Sequence, residues 1–430
     1  MKNKFKNKTG ITLIALVITI IVLLILAGVS ITMISSQDGI LKKARTAKET
    51  QKKATEEEKV KLAIQGAMIN ENGTIDETEL KTELGKLGYT IDSLPAEITI
   101  NEIKYTITKN GELKENKEMK MADAQGKVLS ETETSTVVDK YGNEIKVPAG
   151  FKITTDADNV TQGIVIEDVS ANDNISKGNQ FVWIPVGDVY TTEDKVKTEE
   201  NTKKIELARY VFKNDGTVNE QLTQTKATGQ LMESVSATDY YTDEEGLEET
   251  FVKSVKENNG YYIGRYEAGD DNATKKNEAR NASSDGTLVC KSGQQVYNYI
   301  DMSIAKKESE KMYENKIFKS DLVNSFAWDT AILFEQTFDD RTDKSTPYSK
   351  QSSLNSSLQT TGTSGDKICN IYDMASNCQE WSTEVYSEKI NFSLVTRGWD
   401  YRGGTGASCR FSGNAPDSLI YYGFRTILYL

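Results

Sequence analysis

The run Asp373-Met374-Ala375-Ser376-Asn377-Cys378-Gln379-Glu380-Trp381, followed by Arg402-Gly403-Gly404 and the terminal Gly423-Phe424-Arg425, decides how the larger part of this chain is read. Asn377 and Glu380 supply oxygen atoms that either brace loops through buried hydrogen bonds or ligate a hard cation. Trp381 supplies a large apolar anchor with one polar handle. Gly403 and Gly404 permit backbone geometry and close packing denied to other residues. Arg402 and Arg425 can each brace a loop through bidentate hydrogen bonds. The first role of this set is to hold a fold, with ligand contact second to it.

Outward from this run, the chain is strand-rich. Gly163-Ile164-Val165-Ile166-Glu167, Phe181 to Val186 and Tyr261 to Glu267 are buried-strand runs, and Asn324 to Phe334 fits an amphipathic helix. The last hundred or so residues are rich in Gly, Ser, Asn and Asp, which implies long ordered loops around few strands. All four tryptophans, Trp183, Trp328, Trp381 and Trp399, lie beyond residue 146 and support a separate core there. The segment 114–146 is poor in large apolar residues and is predicted to be a linker. Cys290, Cys369, Cys378 and Cys409 form no C-x-x-C pair. They are either up to two disulfides, in one of three pairings, or free buried thiols.

Taken in order, these pieces resemble the formylglycine-generating enzyme superfamily. Asp373 to Trp381 is similar to its D-M-x-G-N-V-W-E-W signature, and Arg402-Gly403-Gly404 and Gly423-Phe424-Arg425 match its R-G-G-S and G-F-R landmarks. Phe181 to Val186, Tyr262 to Glu267 and Ser325-Phe326-Ala327-Trp328-Asp329 echo its upstream segments, so that the similarity covers 147–430. The resemblance implies a C-type-lectin-like α+β domain with a loop-built face. It also admits a calcium ion on Asn377 and Glu380; no other cofactor is called for. The family's oxidase binds copper through two cysteines after R-G-G-S, but the corresponding places hold Ser408 and Gly413, with Cys409 adjacent to the first. A lone soft ligand in a chain without histidine is a poor copper site, so a binding module is expected here and not an enzyme. In lectin-like folds the matching segment lines the ligand face, which here comprises Trp399, Asp400, Tyr401, Thr405, Ser408, Phe411, Ser412, Asn414, Asp417, Tyr421 and Tyr422. Tyr and Trp give contact area at low entropic cost, and Ser, Asn and Asp give adaptable hydrogen bonds. Variable proteins diversified by retroelements use this location, and the resemblance extends to them.

The other end of the chain is built differently. Lys2, Lys4, Lys6 and Lys8 precede an uncharged stretch from Ile11 to Gln37, long enough at about 1.5 Å per residue to span a hydrocarbon core of roughly 30 Å. The lysines should remain cytoplasmic and place the rest of the chain outside. A cleaved secretory signal would have a shorter apolar core, and a plain anchor is physically sufficient. The junction Lys8-Thr9-Gly10-Ile11-Thr12-Leu13-Ile14 resembles a type IV prepilin signal, which implies cleavage between Gly10 and Ile11. The family's usual Glu at the fifth mature position is Ala15 here, which fits a minor or tip subunit, or a pseudopilin. The expected organisation is a leader 1–10, a transmembrane and spine helix 11–68, a small α+β pilin-like head 69–113, the linker and the lectin-like domain. Within the head, Asp76 and Glu79 look like a helix start before Leu80, Leu84 and Leu87, and Ile98 to Ile107 looks like a hairpin turning at Asn101-Glu102.

Composition bounds the function. A 430-residue chain is expected to hold two or more domains. Its net charge of −12 opposes a nucleic-acid partner, because binding a polyanion needs Lys and Arg to displace counterions. The absence of histidine removes His-dependent triads and zinc-protease helices. The expectation is therefore a surface-displayed, pilin-like adhesin or receptor that binds a protein or glycan. It would be held at the cell membrane and reach other pilin subunits and a prepilin peptidase as partners. A purely structural pilus subunit and a thiol-oxidising enzyme are the alternatives.

Overall fold

The computed structural model describes residues 40–68, 75–101, 103–115, 119–170, 176–194, 198–222, 227–228, 240–242, 246–272, 286–352, 355–386, 394–404, 406–413 and 418–430. The chain divides into two compact units, Met1–Lys117 and Glu118–Leu430.

In the first unit the helix Ile40–Gly66 is followed by a short helix, Glu77–Lys86, and an antiparallel sheet ordered Ala96–Ile100, Ile103–Ile107, Leu113–Glu115. Asp76 caps the short helix by accepting from the amides of Thr78 and Glu79, which satisfies two donors the first turn leaves orphaned. Val60, Ile64, Leu80, Leu84, Ile98, Ile100, Tyr105 and Ile107 are buried together. Asn101 turns the hairpin with φ of 48°, a left-handed conformation that Asn tolerates.

These residues correct the expected fold class. The long apolar N-terminal helix is not among them: Ile40–Gly66 is dominated by Lys, Glu, Thr and Gln, and no described helix is long and apolar enough to cross a membrane. The apolar stretch and the Gly10–Ile11 junction lie outside the described residues. Small sheets with few helices replace the expected helix-plus-lectin-like α+β architecture. The linker expectation is also corrected. Met119–Lys120, Ser135–Val138 and Glu144–Val147 form a sheet, and Met121, Ala124, Val137, Ile145 and Val147 are buried in the second unit's core. The second unit therefore begins near 118, not 147. Short β-alternation in a polar stretch hides its apolar residues from a composition count.

Two six-stranded sheets organise the second unit. One runs Lys319–Leu322, Thr426–Tyr429, Gly260–Gly264, Gln180–Pro185, Val165–Asp168, Phe151–Ile153, antiparallel throughout. The other runs Ala227–Thr228, Tyr240–Thr242, Gln379–Tyr386, Leu394–Arg397, Arg410–Gly413, with Tyr422–Phe424 parallel to Gln379–Tyr386. The helix Ser325–Thr337, capped by Asn324 accepting from the Ala327 amide, is buried along most of its length, beyond the single apolar face an amphipathic helix would bury. Trp183, Trp328 and Trp381 are fully buried.

A buried charge network ties the helix to the second sheet. Asp329 from the helix accepts from Arg397 and Arg410, and Glu384 from the central strand accepts from Arg209, Arg397 and Arg410. All five side chains are at most 4% exposed. The Arg397 guanidinium also lies 5.7 Å from the centre of the Trp328 ring. Burial pushes the Glu384 carboxyl up, but Arg410, Arg209 and Arg397 outweigh it and hold it at about 2.

Removing one partner leaves the others charged and dry, so Glu384→Gln and Arg410→Leu are each expected to cost about 3–5 kcal/mol in denaturant unfolding. The pH dependence has a defined sign. A carboxyl held below its ordinary value stabilises the fold above pH 4.5 or so, and that contribution drains away as pH falls toward 2. The wild type should lose stability over this window, and the Glu384→Gln variant should show a flatter profile there.

Candidate functional site

The signature run begins the site from below. Asn377 adopts φ of 69°. Its side-chain oxygen accepts from the Gln359 amide, and its Nδ2 donates to Glu267 and to the Gln359 carbonyl. Both Glu380 oxygens accept from Arg425, at 2.6 Å to Nη2 and 2.9 Å to Nε. Arg425 also donates to the carbonyls of Gly264 and Tyr372. The oxygens of Asn377 and Glu380, which the resemblance admitted as calcium ligands, face protein donors here, the Gln359 amide and the Arg425 guanidinium. Among the described residues no group of three or more Cys, Asp or Glu side chains is placed to hold a metal.

These groups form an acid-rich floor. Glu267 is raised well above the usual carboxyl range by burial and by the nearby Asp373 and Glu380. Asp373 is pushed up to about 7, again mainly by burial. Cys378, at the same depth, is raised well above an ordinary thiol by burial. All four cysteines are buried and none is in a disulfide, which matches the buried-thiol alternative.

Backbone bonds carry the floor to the surface: the Tyr401 amide donates to the Asn377 carbonyl at 3.0 Å, and the Gln379 amide to the Tyr421 carbonyl at 2.9 Å. Asp400, fully buried, is a hub for the segment above. Its Oδ2 accepts from Gln379 Nε2 at 3.0 Å and from Arg402 Nη2 at 2.7 Å, and its Oδ1 accepts from the Arg402 amide and from Nε at 2.7 Å. The Arg402 guanidinium is thus gripped along one edge, and it lies 3.6 Å from the centre of the Tyr421 ring. Tyr421 meets Tyr422 edge-on at 4.8 Å, and Tyr422 packs on Trp381 at 4.8 Å. A chain of rings therefore leads from the core tryptophan of the signature to the exposed arginine.

A second aromatic pair flanks the first. Trp399 and Phe411 meet at 5.7 Å with planes 84° apart. The Trp399 ring lies directly on Gly404, where an added Cβ would come within 1.9 Å of it. That contact is why glycine is needed at 404. Phe411 is 38% exposed and Leu419 37%. Tyr299, half-buried with φ of 52°, donates its amide to the Leu419 carbonyl.

The structure thus brings together Trp399, Asp400, Tyr401, Phe411 and Tyr421 of the expected ligand face. Tyr422 is only 4% exposed and supports the face from beneath. Ser408 donates its amide and hydroxyl to the Ser349 carbonyl, at 3.0 and 2.8 Å, and is a structural clasp. Thr405, Asn414 and Asp417 lie outside the described residues, as does the Ser412 side chain. Arg402, Leu419 and Tyr299 join the face without having been expected there. Arg402 had been given a bracing role only, which it also fills. Tyr299 lies a hundred residues upstream with no local pattern to mark it.

No protein-family model matches the chain, and no curated protein matches it. Among solved structures there is a likeness to the structure of PvdO from Pseudomonas aeruginosa, at 12% identity and a TM-score of 0.32, covering 61% of this chain and 98% of that one. So low a score carries no argument about fold or activity.

Because Trp183, Trp328 and Trp381 are fully buried, Trp399 should dominate the fraction of fluorescence quenched by iodide. Gly404→Ala must displace its ring. The variant is expected to raise the quenchable fraction and red-shift the emission, at a stability cost of no more than about 1–3 kcal/mol.

Proposed function

We propose that the protein is a membrane-attached, surface-displayed binding protein, an adhesin or receptor, whose C-terminal face recognises a protein or glycan. The observation that carries the reading is the half-exposed cluster of Trp399, Tyr401, Arg402, Phe411 and Tyr421 seated on a buried polar floor that Asp400, Gln379 and Asn377 bond to the segment above. Trp, Tyr and Arg are the residue types that concentrate binding energy at interfaces. A rigid support lowers the ordering cost that association otherwise incurs. The acid groups beneath are turned toward protein donors, and the face itself offers rings, hydroxyls and one arginine.

The apolar stretch 11–37 and its lysine-rich leader support attachment to a membrane with the bulk of the chain outside. The resemblance of the Gly10–Ile11 junction to a prepilin signal supports processing by a prepilin peptidase and association with other pilin subunits. The resemblance of Asp373 to Trp381 and its companions to the formylglycine-generating enzyme superfamily supports a scaffold reused for recognition. Ser408 at the oxidase's cysteine position is engaged with Ser349 instead.

The test is binding of the full chain, displayed on cells, to bacterial and host surfaces. The combined variant Tyr401→Ala, Phe411→Ala, Tyr421→Ala is expected to lose at least tenfold in binding while keeping its melting temperature within a few degrees. Equal binding by the variant would contradict the proposal.

A further inference from the structure

We infer that the second unit carries a proton-operated latch on the segment 398–409. Glu335 keeps its proton while the latch is closed, and loss of that proton releases the turn Tyr348–Lys350, which clasps the segment at Ser408. The latch concerns the conformation of the segment and is independent of what the face binds. Three observations carry it.

First, Glu335 is built to be neutral. It lies near the end of the helix Ser325–Thr337, is fully buried, and neither of its carboxyl oxygens has a hydrogen-bond partner among the described residues. A carboxylate held there would be dry and unpaired, which costs far more than the protonated form. The groups around it do not offset a charge. Asp366 and Asp339 are acids, and Tyr261, Tyr348 and Cys369 are weaker acids within reach of the same charge. The two cations, Arg425 and Arg341, are already bonded to Glu380 and Asp339. Burial first and Asp366 second raise the carboxyl well above its ordinary range. Second, Glu335 stands at the root of a clasp. The next residue, Gln336, accepts from the Ser349 amide through Oε1 at 3.1 Å. The Ser349 carbonyl in turn accepts from the Ser408 amide and hydroxyl. Gly406 packs on the same turn so closely that an added Cβ would come within 2.6 Å of the Ser349 carbonyl oxygen. On its other side the turn is held by the Tyr348 hydroxyl donating to Asp366 at 3.2 Å. The turn thus links the segment to the helix that carries Glu335 and to an acid that an ionised Glu335 repels. Third, the turn is only three residues of 3-10 helix. Such pieces have poorer hydrogen-bond geometry than an α-helix, so the turn yields before the helix does and admits water to the carboxylate. A carboxyl raised by folding contributes stability that is fully present below about pH 4.5 and is lost as pH rises through the raised value. The latch is therefore closed in acid and opens on the alkaline side.

The experiment uses the full chain in detergent and needs no ligand. Trp399 is the half-buried tryptophan of the segment, and the other three are fully buried, so iodide quenching reports on the segment while thermal unfolding reports on the whole. Both are followed from about pH 5 to about pH 9 for the wild type, Glu335→Gln and Glu335→Leu. The wild type is expected to raise its iodide-quenchable fraction roughly twofold toward the alkaline end, at temperatures below the global transition. Its melting temperature should fall at least about 3 °C further over that range than that of Glu335→Gln. In both variants, which have no proton to lose at this position, the quenchable fraction should stay level. A level response in the wild type would overturn the inference, as would a rise that either variant reproduces. A wild-type fall in melting temperature with no change at Trp399 would also overturn it, because the proton would then act on the core and not on the segment.

Discussion

The second unit depends on a dry cluster of charges. Asp329, Glu384, Arg209, Arg397 and Arg410 come from a helix and four separate strands, and each acid is shared by at least two arginines. Taking such charges out of water costs several kcal/mol per ion, and only near-complete pairing recovers it. Their geometry therefore admits little slack. Arg397 and Arg410 are the end and the start of the two strands that bracket residues 398–409. The network thus fixes the two ends of the segment carrying Trp399 to Ser408, and Asp400 fixes its middle. A similar cluster, Glu380 with Arg425, ties the signature run to the last strand. Loops are ordinarily the least ordered part of a domain. Here buried ionic and hydrogen bonds hold the segment at Arg397, Asp400 and Arg410.

The same arrangement separates support from contact. Glu267, Asp373 and Cys378 are buried, and burial drives each toward its neutral form. Glu267 accepts from the Asn377 side chain, and Asp373 accepts from the Ser364 hydroxyl and the Gly362 amide. Asn377 is the joint between the two layers, holding Glu267 below and the Tyr401 amide above. The surface layer is then free to be aromatic.

Much of this was legible along the chain, and what was missed has physical reasons. Local pattern placed the strands Gln180–Pro185 and Gly260–Gly264, the Asp76-capped helix and the Ala96–Ile107 hairpin, because each is set by neighbours in sequence. The bracing role of Arg402 and Arg425 followed from their chemistry beside glycines. The partners of Asp329, Glu384 and Arg410 did not follow, because the residues that meet lie up to 200 apart, as Tyr210 and Arg410 do. An isolated buried arginine has the same sequence pattern as a solvated one. Tyr299 was missed for the same reason. Segment 119–147 was misassigned because its few apolar residues alternate with charges, and alternation is what a half-buried strand requires. The donors that face the Asn377 and Glu380 oxygens, the Gln359 amide and Arg425, were equally out of reach of local pattern.

The central claim is that the face around Arg402 and Phe411 is where this protein meets its partner. Photo-crosslinking in intact cells tests it most directly, with benzoylphenylalanine placed at Phe411 and, separately, at the exposed Ile317 in the same unit. The account predicts a discrete, saturable crosslinked product from position 411 and none from 317. A product from 317 with none from 411 would contradict it.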